Sequence, residues 1–251
     1  MAQAIIPWMG GKRRLAKFIL PKIENYRTYV EPFCGGASLF FMKTPSKVEV
    51  INDLNGELVN LYRVIRHHKE ELIKQFEWQL ISRESFDNLK NTNPSTLTDI
   101  QRAARFYVLI KMGFGGRVTK PSFGAGKTRA SGFNPSTLER DIEAAHKRMA
   151  QTIIENRPWH ECVPHYDTVD TCFYLDPPYW QTAGYGCDFP FEEYERMAEF
   201  MRAIKGRMVI SINDHPDIRK VFAGFNMEEL QIKYTIGAKN AKQAGEILIT
   251  N

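Results

Sequence analysis

Apolar positions along this chain form short unbroken runs near both ends and a three-to-four-residue spacing elsewhere. TYVEPF, VEVINDLN, TIIEN, TCFYLD and RMVISIN are rich in β-branched and aromatic residues and read as strands, several ending in an acid or an asparagine. Helical period runs through SLFFM, GELVNLYRVIRHHKEELIKQF and FEEYERMAEFMRAI, and a Gly-Gly turn opens a basic amphipathic helix from Gly10 to Ile23. MEELQIKYTI and EILITN, with a Gly- and Lys-containing turn between them, predict an antiparallel hairpin at the edge of the sheet.

The order strand, Gly-rich turn, helix, strand, helix is that of an α/β, Rossmann-like doubly wound sheet, in which ligands collect at the carboxyl ends of the strands. From about Ser82 the pattern changes. Helical stretches at Ile100 to Lys111 and Leu138 to Ala150 flank GFGGRVTKPSFGAGKTRASGFNP, a loop of Gly, Pro, Ser and basic residues that predicts a protruding loop or hairpin. The expected organisation is a catalytic domain from residues 1–56 and 152–251, interrupted by a mainly helical subdomain at 57–151 that carries the basic hairpin loop.

Composition narrows the class. With 251 residues, 43% of them hydrophobic and 12% aromatic, the chain has ample material for a packed interior. No apolar run reaches the ~18 residues of a membrane helix, and the N-terminal basic residues follow a very short apolar stretch, so a soluble cytoplasmic protein is expected. The cysteines Cys34, Cys162, Cys172 and Cys187 form no CxxC pair and the histidines no HExxH, which argues for buried reduced thiols rather than disulfides or a zinc site. The net charge of +5 is modest, yet Lys111, Arg117, Lys120, Lys127 and Arg129 occupy a stretch without one acidic residue. Such a run suits a phosphate-rich partner or a solvated surface loop.

Three motifs carry candidate chemistry. In PWMGGKRRL, Gly10 and Gly11 leave the backbone open to a ligand, Trp8 offers a stacking face and Lys12 a charge. In YVEPFCGGAS, Glu31 ends a strand and Phe33, Gly35 and Gly36 form a tight turn into a helix, without the GxGxxG spacing of the dinucleotide fingerprint. Asp53 closes the next strand 18 residues after Gly35, near the interval at which an acid meets a ribose hydroxyl; a helix N-cap is the alternative. In FYLDPPYW, the prolines end the strand at Asp176 and fix a carboxylate there. An exocyclic amine on a base is a poor nucleophile because its lone pair is delocalised into the ring. Asp176 and the Pro177 carbonyl, acceptors both, can hold the amine hydrogens and localise that pair. Tyr179 can stack on a flat base, and Trp180 either walls the pocket or packs in the core.

PWMGGK, EPFCGGAS, an acid ending the following strand, and DPPY after a long insert together resemble the Dam-type family of adenine-specific DNA methyltransferases, in the class alpha motif order. The resemblance spans nearly the whole chain, through NDHPDIRKVF and EILITN, and is weakest between Ser82 and Glu155. It implies S-adenosylmethionine as cofactor, S-adenosylhomocysteine as product and no metal. Trp8, Lys12, Phe33, Gly35, Asp53 and Asp176 would then line the cofactor site, with Asp176, Pro177, Pro178 and Tyr179 as the catalytic tetrapeptide. It also implies double-stranded DNA as partner, with the enzyme acting as a monomer or homodimer. The insert would be the target-recognition part, its Lys111, Arg117, Lys120, Lys127 and Arg129 meeting DNA. Where family members often have an aromatic-Asn-Gly sequence, this chain has Phe114, Gly115 and Gly116, so target specificity does not carry over. Methylation of cytosine N4, or a catalytically silent DNA-binding regulator of the same fold, are the alternatives.

Overall fold

The computed structural model describes residues 3–126, 128–182, 189–231 and 245–251. The chain runs α1 (Ala16–Ile23), β1 (Thr28–Glu31), α2 (Ser38–Met42), β2 (Val48–Asn52), α3 (Gly56–His67), α4 (Lys69–Lys74), α5 (Arg83–Asn91), α6 (Asp99–Met112), α7 (Pro135–Met149) and β3 (Ile153–Glu155). It continues through α8 (Trp159–His165), β4 (Thr171–Leu175), α9 (Phe191–Ala203), β5 (Arg207–Asn213), α10 (Pro216–Val221), β6 (Asn226–Gln231) and β7 (Gly245–Thr250).

The seven strands form one sheet in the order β3-β2-β1-β4-β5-β7-β6. The first five in that order run parallel, and β7 enters antiparallel between β5 and β6. The chain moves outward from β1 to β3 and then returns to lay β4 on the other side of β1, so the switch point of the sheet lies between β1 and β4. A crevice at the carboxyl ends of these two strands is the consequence.

The unbroken apolar runs are explained by burial on both faces. All five residues of β4 are buried. Val30, Phe173, Leu175, Ile210 and Ile249 face a core made with α8, α9 and α10. Their alternates Tyr29, Cys172, Tyr174, Val209 and Leu248 face a core shared with α1, α2 and the helices α3 to α7. The insert therefore packs into the same apolar core as one face of the sheet, and the expected boundary at 56/57 falls in the first turn of α3. A buried charged cluster adds to this seam: Arg148 of α7 donates to both Glu49 oxygens on β2 and to the Phe40 carbonyl, while Lys43 reaches Glu49 at 2.8 Å.

Several expected elements are revised in detail. The helix opening at Gly10 begins instead with a 3₁₀ turn at Lys12–Arg14, because Gly10 sits at φ 80°, and regular helix starts only at Ala16. The long helical pattern after Gly56 breaks at His68, whose φ of −137° leaves the helical region and re-aims α4 so that Leu72 and Phe76 reach the core. α5 and α8 were not expected. The basic loop closes through isolated bridges, Gly113 with Phe123 and Gly126 with Arg129, rather than through a continuous ladder. Positive φ at Gly115, Gly116 and Lys120 prevents extended pairing there. In the C-terminal hairpin, β6 and β7 pair as expected, and the expected strand beyond Gln231 lies outside the described residues, as do Cys187 and Lys127.

Candidate active site

A cavity of about 650 Å³ opens at the switch point. Its lining includes Trp8, Lys12, Phe33, Gly35, Asp53 and Asp176, six residues drawn from four separate segments of sequence. Val118 and Thr119 of the basic loop also reach it.

Each wall has a local cause. After β1 the chain turns sharply, with Gly35 at φ 46° and Ala37 at φ 51°. The Trp8 indole lies directly on this turn, and a Cβ placed on Gly35 would sit 2.4 Å from its ring nitrogen. Glycine is required here both for its dihedral and for the close approach. The Asp53 carboxylate links strand ends: it accepts from the Gly35 amide at 2.9 Å and from the Asn55 amide at 2.9 Å. Asn55, not Asp53, caps α3, its side chain accepting from Glu57 and Leu58. Asn52, buried beside it, donates to the carbonyls of Pro32 and Arg157 and accepts from the Arg157 amide. One side chain thus holds the loops after β1 and β3 at a fixed spacing. Phe33 packs against Trp159 and Phe189, and the Trp159 indole is anchored on Glu193 at 2.6 Å, giving one end of the cavity an aromatic lining.

At the other end lies the tetrapeptide. Lys12, only 4% exposed, places Nζ 2.5 Å from Asp176 Oδ1, 3.0 Å from the Gly10 carbonyl and 3.7 Å from Glu246 Oε1. The same ammonium lies 4.9 Å from the centre of the Tyr179 ring. Ser211 of β5 sits 3.5 Å from Asp176 Oδ1 and 2.6 Å from the Tyr174 hydroxyl. Tyr194 donates to the Pro178 carbonyl at 2.6 Å, and Asn213 holds Trp180 by exchanging hydrogen bonds with its amide and carbonyl. The turn is clamped along its length, so the carboxylate cannot drift with solvent. Pro177 is buried and lies outside the cavity lining, whereas Pro178 contributes to it. Trp180 packs with Phe191 and Tyr194 and faces a different, shallower cavity.

Charge balance at this end is uneven. Asp176 and Glu246 share the Lys12 ammonium, while Glu31 feels the charge of Asp176 and of Lys43, and burial pushes all three carboxyls upward, Glu31 and Glu246 to about 7. Tyr29 donates to Glu31 Oε1 at 2.5 Å and offsets only part of that. An excess of buried acid beside an aromatic-walled cavity fits a ligand that is cationic at one end and flat at the other. S-adenosylmethionine, with its sulfonium, ammonium and adenine, has that form.

The basic residues are placed differently from one another. Arg117, Lys120 and Arg129 are exposed. Arg129 lies 5.4 Å over the Phe114 ring. Lys111 is half-buried in the last turn of α6 with Nζ 5.4 Å over Tyr107, and loss of hydration pulls its pKa down. Sequence reasoning did not single out Glu246, Ser211, Asn52 or Trp159. They act through contacts between distant segments, and no local spacing announces them.

The chain is similar to known proteins over nearly its whole length. Type II methyltransferase M1.LlaDCHI of Lactococcus lactis subsp. cremoris is 27% identical over 97% of this chain and 93% of its own length. Type II methyltransferase M.CviBI of Paramecium bursaria Chlorella virus NC1A is 28% identical over 98% and 96%. A DNA adenine methylase of Vibrio cholerae serotype O1 is 24% identical over 95% and 91%. The D12 class N6 adenine-specific DNA methyltransferase family matches residues 8–236, a span that contains every cavity-lining residue named above. This chain belongs to that family, whose members methylate adenine in DNA with S-adenosylmethionine.

Proposed function

We propose that the cavity between Trp8 and Asp176 seats S-adenosylmethionine, and that Asp176 to Tyr179 hold an adenine turned out of double-stranded DNA for methylation at N6. The observation that carries this reading is the Asp176 carboxylate, clamped at the end of β4 and opening onto the same cavity as Trp8, Phe33, Gly35 and Asp53. When bound, the cofactor supplies a methyl group on a sulfonium, which leaves as a neutral thioether without need of a metal. Asp53 is the acceptor for ribose hydroxyls, with lone-pair capacity remaining beyond the amides of Gly35, Leu54 and Asn55 that it meets. Phe33 and Trp159 supply apolar surface for the flat ring, and the excess of acid over Lys12 favours the cationic end.

The protein's part in the chemistry is alignment and hydrogen-bond acceptance. Asp176 accepts from the target amine and draws its lone pair out of the ring, and Tyr179, whose ring stands beside Lys12 next to the cavity lining, stacks on the base. Turning the adenine out costs a few kcal/mol, which contacts elsewhere on the duplex must offset. Arg117, Lys120 and Arg129, exposed on the loop whose Val118 and Thr119 reach the cavity, are suited to phosphates beside the target base. Lys127 and Lys111 complete the proposed basic set, with residues 57–151 as the target-recognition part and the active unit a monomer or homodimer.

The direct test is to incubate the protein with labelled S-adenosylmethionine and duplex DNA, digest to nucleosides and identify the product. N6-methyldeoxyadenosine is expected. N4-methyldeoxycytidine, or no transfer with DNA still bound, would replace this reading with one of its alternatives.

A further inference from the structure

Glu246 stands at the start of β7, opposite Asn213 on β5 and Leu230 on β6, with 1% of its surface exposed. Both carboxyl oxygens are shielded from solvent. A carboxylate is costly to bury in a strand flanked by ILIT, and nothing in the sheet's own hydrogen bonding requires one there. What it faces is the catalytic turn: the Lys12 ammonium at 3.7 Å, the Tyr179 hydroxyl, and beyond Lys12 the carboxylate of Asp176. Tyr174 on β4 also senses its charge.

Lys12 has three donors. One goes to the Gly10 carbonyl at 3.0 Å, one to Asp176 Oδ1 at 2.5 Å, and the third lies on the Glu246 side at 3.7 Å. Among the described residues the contacts of the Asp176 carboxylate, from Lys12 and from Ser211, both fall on Oδ1. An ammonium drawn toward a second acid approaches Asp176 from one side. Without that second acid, the same ammonium can move between both Asp176 oxygens and occupy the lone pairs that an incoming amine needs.

We propose that Glu246 is a positioning residue of the methyl-transfer site: by sharing Lys12 with Asp176, it keeps the ammonium on Oδ1 and leaves Oδ2 to accept from the target amine. The inference rests on the reading of Asp176 given above. Glu246 never meets substrate in this arrangement. It acts through Lys12, and its negative charge also repels that of Asp176.

The test is Glu246→Gln, which keeps the shape and removes the charge, compared with wild type by steady-state methyl transfer to duplex DNA across pH 5–9. The expected result is a kcat lowered about tenfold with KM for DNA within about twofold. The acid limb of the kcat profile should move down by roughly half a unit to one unit, because Asp176 loses a like-charged neighbour. A purely structural role would lower activity without moving the limb. An unmoved limb therefore overturns the proposal, whatever happens to kcat. Should the Gln variant not fold, Glu246→Asp retains the charge and is expected to keep the wild-type limb; a limb that moves in this variant overturns the proposal as well. Wild-type enzyme in the same assay separates the two levels, since absence of N6-methyladenine there removes the reading of the site itself.

Discussion

Asp53 and Asp176 at the strand ends are held by backbone amides, an ammonium and the Ser211 hydroxyl, whereas Arg117 and Lys120 on the loop after α6 stand exposed. Both regions carry charge that the proposed function assigns to a ligand, but they hold it differently. At the strand ends the sheet fixes each carboxylate to a place that solvent cannot rearrange, as chemistry at a single nitrogen requires. On the loop, two isolated bridges and positive φ at Gly115 and Gly116 set the path of the chain, and the long side chains are left to adapt to phosphate positions. On the proposed reading, catalytic precision and polyanion binding call for opposite degrees of constraint, and one chain would supply both within reach of one cavity.

Removing the most constrained group should have the largest effect. Asp176→Ala takes away the proposed acceptor for the amine and leaves Lys12 with Glu246 and the Gly10 carbonyl alone. Methyl transfer is expected to fall by about 10³-fold or more, while cofactor binding, followed by calorimetry, stays measurable. Near-normal turnover would mean that the strand-end carboxylate is not the acceptor and that the contrast between the two regions is mistaken.

The loop should respond in another way. Replacing Arg117, Lys120 and Arg129 together by Gln is expected to weaken DNA binding by about 10- to 100-fold at moderate salt and to reduce the slope of log affinity against log salt by up to about three. Cofactor affinity should not change. A loss of cofactor binding in this variant would show that the loop belongs to the constrained region after all, which the approach of Val118 and Thr119 to the cavity makes worth measuring.

Gly35→Ala sharpens the comparison from the cavity side. The left-handed φ of 46° and the Trp8 ring 2.4 Å from any added Cβ mean that either the turn or the indole must move. A cost of about 1–3 kcal/mol in stability or cofactor affinity is expected, read by thermal melting and by titration. Gly115→Ala on the loop has open space around its Cβ and meets only its own backbone strain, so it should leave cofactor affinity intact.

How much of this was visible in sequence follows from the range of the forces involved. Asp53 and Gly35 were legible because a strand end and a glycine turn are local features, and their 18-residue spacing became the 2.9 Å hydrogen bond between them. The sheet was legible because strands buried on both faces leave unbroken apolar runs. The pairing of Lys12 with Asp176 spans 164 residues and has no local signature. Glu246 looked like one polar residue opening a strand. α8 escaped because WHECVPH is short and contains Pro164, and α5 because Phe86 is its only buried residue. The break at His68 follows from where α4 must pack, which is a tertiary demand on a segment whose period is helical throughout.

The smallest expected effect concerns stability without ligand, and it again separates the cavity from the loop. Glu31 has a pKa raised from 4.5 to about 7, chiefly by burial, and makes its charged form unwelcome in the folded protein. A carboxyl that holds its proton more tightly when folded contributes stability that is fully present below the unfolded value, near 4.5, and is lost as pH rises through about 7. The ligand-free enzyme should therefore lose, between pH 5.5 and pH 8, a part of its Tm that Glu31→Gln does not lose. Replacing Arg117 and Arg129, which lie away from Glu31 on the exposed loop, should leave the Tm difference between the two pH values as it is in wild type. Melting curves of the three proteins at fixed ionic strength decide the matter: a difference unchanged by Glu31→Gln would show that the buried acid at the end of β1 meets its counter-charge within the protein itself, and the argument that the cavity favours a cation would lose its electrostatic basis.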